Sequence, residues 1–202
     1  EKRKSFVIGA EKVIIATGAQ ESPINFPGWT LPGVMGAGAA QTMMNLNRVK
    51  PGSKVLMVGS GNVGVIVSYQ LMQAGIKVVG IIDVTKKAGG YEVHMSKIKR
   101  GGVPFYPRHT IKRAIGKNFV EGAEIIEVDS SFKPIEGTEK TLDVDTICLA
   151  TGFNPLAELA WIAGCEFEFI PSLGGHIPIR KENMETTVEG IFVAGDITGI
   201  EE

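Results

Sequence analysis

Short, uninterrupted apolar runs alternate with glycine-marked turns along this chain. Residues 55–58 (Val-Leu-Met-Val) and 78–82 (Val-Val-Gly-Ile-Ile) contain no polar side chain, the pattern of strands covered on both faces, as in a parallel sheet. Between them the period changes. Val63, Val67, Leu71 and Ala74 recur at i, i+4, i+8 and i+11, one apolar stripe of a helix from Asn62 to Ala74, which Gly75 ends. Strand, helix and strand in this order form a βαβ unit, which begins after the breakers Pro27-Gly28, Pro32-Gly33 and Pro51-Gly52. A second, more polar helix is expected over residues 92–100, before Gly101-Gly102. Residues 103–150 turn β-rich, with strands expected over 110–115, 124–128 and 146–150. The pattern predicts an α/β fold, a parallel βαβ sheet plus a β-meander, which is the outline of a small nucleotide-binding domain.

One pattern occurs twice. Residues 12–16 (Lys-Val-Ile-Ile-Ala) run into Thr17-Gly18, and residues 145–152 (Asp-Thr-Ile-Cys-Leu-Ala-Thr-Gly) repeat an apolar run ending in Ala-Thr-Gly. The two echoes bracket the βαβ region and divide the chain into residues 1–30, 31–150 and 151–202. The last segment carries a short helical stretch near 156–163, a turn at Gly174-Gly175 and a closing strand over 190–194.

Composition narrows the function classes. With 44% hydrophobic residues in 202 the chain can build a core and is not disordered. Twenty-one Lys plus Arg against 22 Asp plus Glu leave a net charge of -1, which gives no footprint for nucleic acid or an anionic membrane surface. No apolar run approaches the roughly 18 to 20 residues of a membrane-spanning helix. Two cysteines, Cys148 and Cys165, form neither a CxxC pair nor a disulfide scaffold, so a reducing, cytoplasmic setting is expected. Position 1 is Glu1 rather than Met, which suggests a piece of a longer protein.

The chemistry centres on Gly59-Ser60-Gly61-Asn62-Val63-Gly64, a G-x-G-x-x-G sequence. Glycine occupies 26 of 202 positions, so the bare pattern is expected roughly 0.4 times by chance and its context must decide. It follows an apolar strand, opens a striped helix, and has Asp83 at the end of the next strand, 19 residues after Gly64. That is the setting of a Rossmann-like dinucleotide-binding domain. Gly59 is expected to make the turn, Gly61 to let a pyrophosphate approach the backbone, and Gly64 to bring helix and strand close. The helix N-terminus supplies N–H donors for the phosphates, and Asp83 is placed to accept from the adenosine ribose hydroxyls. A 2′-phosphate against that carboxylate is unfavourable, so NAD is expected rather than NADP. Lys86-Lys87 follow Asp83 and are expected as a solvated turn, with contact to a 2′-phosphate as the alternative.

Residues 55–83, the two Ala-Thr-Gly echoes and the tail from Glu185 to Asp196 (Glu-Thr-Thr-Val-Glu-Gly-Ile-Phe-Val-Ala-Gly-Asp) together resemble the pyridine nucleotide-disulfide oxidoreductase family. Within it the similarity is to flavin/NAD subunits of the sarcosine oxidase alpha, opine dehydrogenase and hydrogen cyanide synthase type. The resemblance implies a dinucleotide domain inserted into an FAD domain, with residues 1–30 and 151–202 as parts of the FAD domain and 31–150 binding NAD. It implies Thr151 and Gly152 at a crossing, and Gly195-Asp196 as a second flavin motif whose aspartate contacts the ribityl chain. The first flavin motif would lie ahead of residue 1, so FAD belongs to the full-length protein. The implied activity is hydride transfer between nicotinamide and flavin, with a small-molecule substrate and a partner dehydrogenase subunit. The alternative is a non-redox dinucleotide-binding module. The family's thiol-disulfide reductases need a CxxC relay, which this sequence lacks.

The remaining candidates have plainer expectations. His94, His109 and His176 show no metal-ligand spacing. Both cysteines are expected as small core residues. Trp29 and Trp161 flank the crossings and are expected to pack at the seam between domains. No side-chain acid, base or nucleophile is required when the cofactors carry the chemistry.

Overall fold

The computed structural model describes residues 4–200. In chain order the elements are β1 (Val13–Ile15), β2 (Ala19–Glu21), β3 (Val34–Gly36), α1 (Ala37–Asn45), β4 (Lys54–Val58), α2 (Asn62–Gln73), β5 (Lys77–Asp83), α3 (Glu92–Arg100), β6 (Phe105–Pro107), β7 (His109–Ile115), β8 (Gly122–Glu127), β9 (Lys140–Leu142), β10 (Thr146–Leu149), β11 (Phe153–Pro155), α4 (Glu158–Ile162), β12 (Phe167–Ile170), β13 (Gly175–Pro178) and β14 (Ile191–Val193). Two compact units result: residues 21–151, and a smaller one that joins residues 4–20 to 152–200.

The larger unit has three layers. Its centre is a five-stranded sheet in the order β3-β10-β4-β5-β6, parallel throughout. Alternate side chains of the central strands feed two separate cores. Val55, Met57 and Cys148 pack with Ala37, Val67, Leu71, Met95 and Ile98 on the side of the three helices. Leu56, Val58, Ile147 and Leu149 pack with Ile111, Ala123 and Ile125 of the antiparallel meander β7-β8-β9. Burial on both faces is why these strands are apolar at every position rather than at every second one.

Two sequence expectations change here. Residues 146–149 belong to the parallel sheet, between β3 and β4, and the meander's third strand is Lys140–Leu142. The apolar run Ile147-Cys148-Leu149 fits this place, since a meander strand with one wet face would alternate. Residues 21–30 lie with the larger unit: Phe26 is buried in the meander-side core, and Ala114 N–H donates to the Pro27 carbonyl.

In the smaller unit, β1 and β14 pair in parallel, and Ile15 and Val193 are buried with Ala157, Ala160, Cys165 and Ile197. β12 and β13 form an antiparallel hairpin joined through residues 171–174, where Gly174 turns the chain at φ 87°. β2 and β11 pair as a short ribbon. Trp161, half exposed, stacks on Phe167 with ring centroids 4.6 Å apart, and Trp29 is 42% exposed. Among the described residues no helix is long and apolar enough to cross a membrane.

Candidate functional site

β4 ends at Val58 and α2 begins at Asn62, so the glycine motif forms the turn between them. Gly59 adopts φ +103°, and a Cβ there would overlap the Ala150 carbonyl oxygen. Only glycine meets both conditions. Gly64 lies against Gly59 from within the helix, where a Cβ would overlap the Gly59 carbonyl oxygen and meet the Ala150 Cβ at 3.2 Å. Gly61 differs from both. Its backbone is extended at φ -63°, and a Cβ there would meet nothing within 4 Å. Two of the three glycines therefore close the turn against protein, while the third faces open space.

α2 presents its N-terminus at this opening. No side chain caps it, and its first turn carries no acidic residue. The first-turn amides of an uncapped helix are hydrogen-bond donors at the positive end of the peptide dipoles, an arrangement that suits an anion. The residues thus fit a dinucleotide pyrophosphate: space at Gly61, donors from α2, and no acidic residue in its first turn.

Asp83 reaches the turn through a bulge. Val55 pairs with Val78 and Leu56 with Gly80, so Val79 is an extra residue in β5. Val78 and Ile81 both face the helix-side core as a result, whereas Ile82 faces the meander. Asp83, two residues beyond Ile81, therefore falls on the same side as α2 and Ser60; an unbulged strand would turn it away. Gly80 also makes room for Tyr106, whose Cε2 would lie 2.7 Å from a Cβ at that position.

The Asp83 carboxylate accepts four hydrogen bonds. Oδ2 receives Ser60 N–H at 2.8 Å and Ser60 Oγ at 2.6 Å, and Oδ1 receives Thr85 N–H at 2.9 Å and Thr85 Oγ1 at 2.8 Å. Burial opposes its charge, but the bonds from Ser60 and Thr85 outweigh it and hold the carboxyl below its ordinary range. Ser60 is fully buried and has its remaining groups engaged as well. Gly90 N–H donates to its carbonyl at 2.8 Å and Gly89 N–H to its hydroxyl at 3.3 Å. Asn62 Oδ1 accepts Tyr91 N–H at 2.9 Å. The segment from Thr85 to Tyr91 is thereby tied to the glycine turn. Ser60 and Asn62, expected as ligand contacts, use their side chains to hold this segment, while Val63 packs against the helix-side core.

The other expected residues lie at the echoes and the tail. Thr151 Oγ1 donates to the Ser22 carbonyl at 2.6 Å, and Gly152 turns the chain at φ +107°. In the smaller unit Gly195 adopts φ +77° at the start of a short 3₁₀ turn, where Asp196 is exposed. Lys86 and Lys87 are exposed in the turn after β5. His109 is buried, with Nδ1 2.8 Å from the Pro107 carbonyl and Nε2 3.1 Å from Lys140 Nζ. Both cysteines are free thiols and buried. Burial, reinforced by the Glu21 carboxylate, pushes the Cys148 thiol up to about 12, and Cys165 donates to Thr186 Oγ1 at 3.3 Å.

Sequence reasoning missed Thr85. It lies outside the glycine motif, and its two bonds to Asp83 are local, between residues two apart, so the Asp-x-Thr spacing is the signal that could have found it.

The chain is similar to several known proteins. An opine oxidase subunit from Agrobacterium tumefaciens is 29% identical over 203 residues, covering 96% of this chain and 40% of the relative. Hydrogen cyanide synthase subunit HcnB of Pseudomonas aeruginosa is 27% identical, covering 93% of this chain and 44% of the relative. The chain thus spans less than half the length of these relatives. Thioredoxin reductase of Lactococcus lactis shares the fold, with a TM-score of 0.74 at 20% identity, over 95% of this chain and 59% of that one. The model of the pyridine nucleotide-disulphide oxidoreductases matches residues 1–202, and the chain belongs to that family of FAD- and pyridine-nucleotide-linked oxidoreductases.

Proposed function

We propose that the larger unit is the NAD-binding portion of an FAD-dependent oxidoreductase and that the smaller unit is part of its flavin domain. The observation that carries this reading is the division of labour among the three glycines: Gly59 and Gly64 close against protein, and Gly61 alone faces open space in front of an uncapped helix. A turn with a purely structural task has no need of that opening. In this reading Gly61 and the first amides of α2 hold the pyrophosphate, Asp83 orients the adenosine ribose, and Gly195-Asp196 serve the flavin ribityl chain. Thr151 and Gly152 shape the crossing between the domains. The bound cofactors supply hydride transfer between nicotinamide and flavin, and the protein's part is to position them.

NADH is the preferred nucleotide. The hydrogen bonds from Ser60 and Thr85 keep Asp83 ionised, and a 2′-phosphate beside it would bring two anions together. A thiol relay has no support, because both cysteines are buried and the sequence has no CxxC. The relatives are named as subunits of an opine oxidase and a hydrogen cyanide synthase, which supports a small-molecule substrate and a partner subunit for the whole protein. Calorimetric titration is the test. NADH is expected to bind more tightly than NADPH, and Gly61→Val is expected to abolish both while preserving the circular dichroism spectrum. Undiminished NADH binding by that variant would refute the assignment, and equal affinities for the two nucleotides would refute the NAD preference.

A further inference from the structure

Resting on the dinucleotide reading of the glycine turn, we propose that Thr85 is a specificity-determining residue: its hydroxyl occupies the position on Asp83 that a ribose hydroxyl must take, and it moves aside to the Lys87 carbonyl when ligand binds.

A carboxylate offers about four lone-pair sites. Ser60 N–H, Ser60 Oγ and Thr85 N–H take three of them, and Thr85 Oγ1, 2.8 Å from Oδ1, stands at the fourth while sharing its one proton with the Lys87 carbonyl. A ribose hydroxyl can donate to Asp83 only if one of these donors leaves, and the four are not equally free to go. Ser60 is fully buried, and its hydroxyl also anchors Gly89 N–H, so releasing either of its bonds would orphan a group away from water. Thr85 N–H is fixed by the backbone. The Thr85 hydroxyl is different. It lies on an exposed residue, and a second acceptor, the Lys87 carbonyl, stands 2.6 Å from Oγ1.

A hydroxyl carries one proton, so Thr85 serves Asp83 or Lys87 at any moment but not both. When the proton points to Lys87, Oδ1 of Asp83 loses a donor, and a ribose hydroxyl takes the site once Oγ1 draws back from its 2.8 Å approach, with no protein group left without a partner. The lone pairs of Oγ1 then face the incoming ribose as acceptors. Thr85 thus competes with the ligand for Asp83 in one state and assists it in the other. Competition dominates the net effect, because the bond given up is to an ionised carboxylate and the one gained is to a neutral carbonyl.

Removing the hydroxyl isolates the competition. Thr85→Ala removes the hydroxyl and leaves its place beside Oδ1 empty, at an exposed position where the fold is expected to hold, and Thr85→Ser restores the donor. NADH is expected to bind Thr85→Ala about three- to tenfold more tightly than the parent, with Thr85→Ser at the parent value. The preference for ADP over 2′-deoxy-ADP is expected to widen in Thr85→Ala, because the freed site on Asp83 is one that the 2′-hydroxyl uses. Both effects should vanish in an Asp83→Asn background, which a merely structural role for Thr85 would not produce. If NADH binds the parent and Gly61→Val abolishes it, while Thr85→Ala binds NADH no more tightly and leaves the ADP to 2′-deoxy-ADP ratio unchanged, the competition is refuted and the dinucleotide reading stands. If the parent binds neither NADH nor ADP, both fall together.

Discussion

The hydroxyl of Thr151 donates to the carbonyl of Ser22 at 2.6 Å. Its counterpart in the first Ala-Thr-Gly echo, Thr17, donates to the carbonyl of Leu156 at 2.5 Å. Each threonine thus reaches the residue five places beyond the other threonine, and each bond lies within one unit. The repeated sequence has a repeated task, which is to pin the chain where it passes between units. Thr17→Val and Thr151→Val keep the side-chain shape but leave a partly buried carbonyl without a donor. Each is expected to cost about 1 kcal/mol in urea denaturation, and Ser at either position should restore most of it. A pair of Val variants as stable as the parent would show that the hydroxyls contribute nothing.

Gly64 and Gly61 should respond to alanine in opposite ways. In an ordinary helix, Gly→Ala stabilises by up to about 1 kcal/mol. At Gly64 the added methyl overlaps the Gly59 carbonyl oxygen, which is backbone and cannot swing away, so a loss of roughly 1–3 kcal/mol is expected instead. At Gly61 the methyl meets no protein atom. Gly61→Ala should therefore melt with the parent while binding NADH less well. Melting curves and NADH titrations on the two variants separate the effects, and a Gly61→Ala protein that loses stability would contradict the open space assigned to that position.

The parts of this fold that the sequence displays are those where burial is uniform. β4 and β5 are apolar at every position because cores press on both faces, and α2 shows a stripe because one side meets the sheet. α1 gives no such signal: Gly36 precedes it in place of a capping side chain, and Gly38 interrupts its first turn. β3, β6 and β9 have three residues each, too few to show a period. At the site, the tasks of the glycines follow from their spacing. The fastening of Asp83 by Ser60 does not, because it depends on an extra residue in a strand whose apolar sequence reads the same with or without the bulge.

Cys148 should be chemically silent. Its thiol is pushed up to about 12 by burial and by the Glu21 carboxylate, so at pH 9 only about one molecule in a thousand carries the thiolate, the form that reacts. A disulfide-exchange reagent such as Ellman's is expected to leave Cys148 unmodified in the native protein and to titrate it once urea unfolds the chain. Rapid native labelling of Cys148, located by mass spectrometry, would show that the helix-side core opens far more readily than its packing implies.

Asp83 should make stability depend on pH in a defined direction. Hydrogen bonds from Ser60 and Thr85 lower its folded-state pKa despite burial, while the unfolded chain titrates near about 3.9. The unfolded state therefore takes up a proton first as pH falls. Asp83's contribution is fully present above the unfolded value and is lost as pH drops through the folded one. Asn at this position is neutral and sets an NH₂ group against the donors of Ser60 or Thr85, so it resembles the protonated acid. The gap in urea midpoint between the parent and Asp83→Asn is expected to be constant from pH 7 to pH 5 and to shrink below about pH 4. Replacing Ser60 by Ala in both proteins should narrow the gap at pH 7, because the hydroxyl bond is the strongest of the influences that lower the pKa. The comparison separates Asp83 from other carboxylates, whose titration is common to both members of the pair. A gap that stays the same from pH 7 to pH 3 would mean that the carboxylate's charge is not what holds the glycine turn, and a gap that widens in acid would reverse the sign of the linkage.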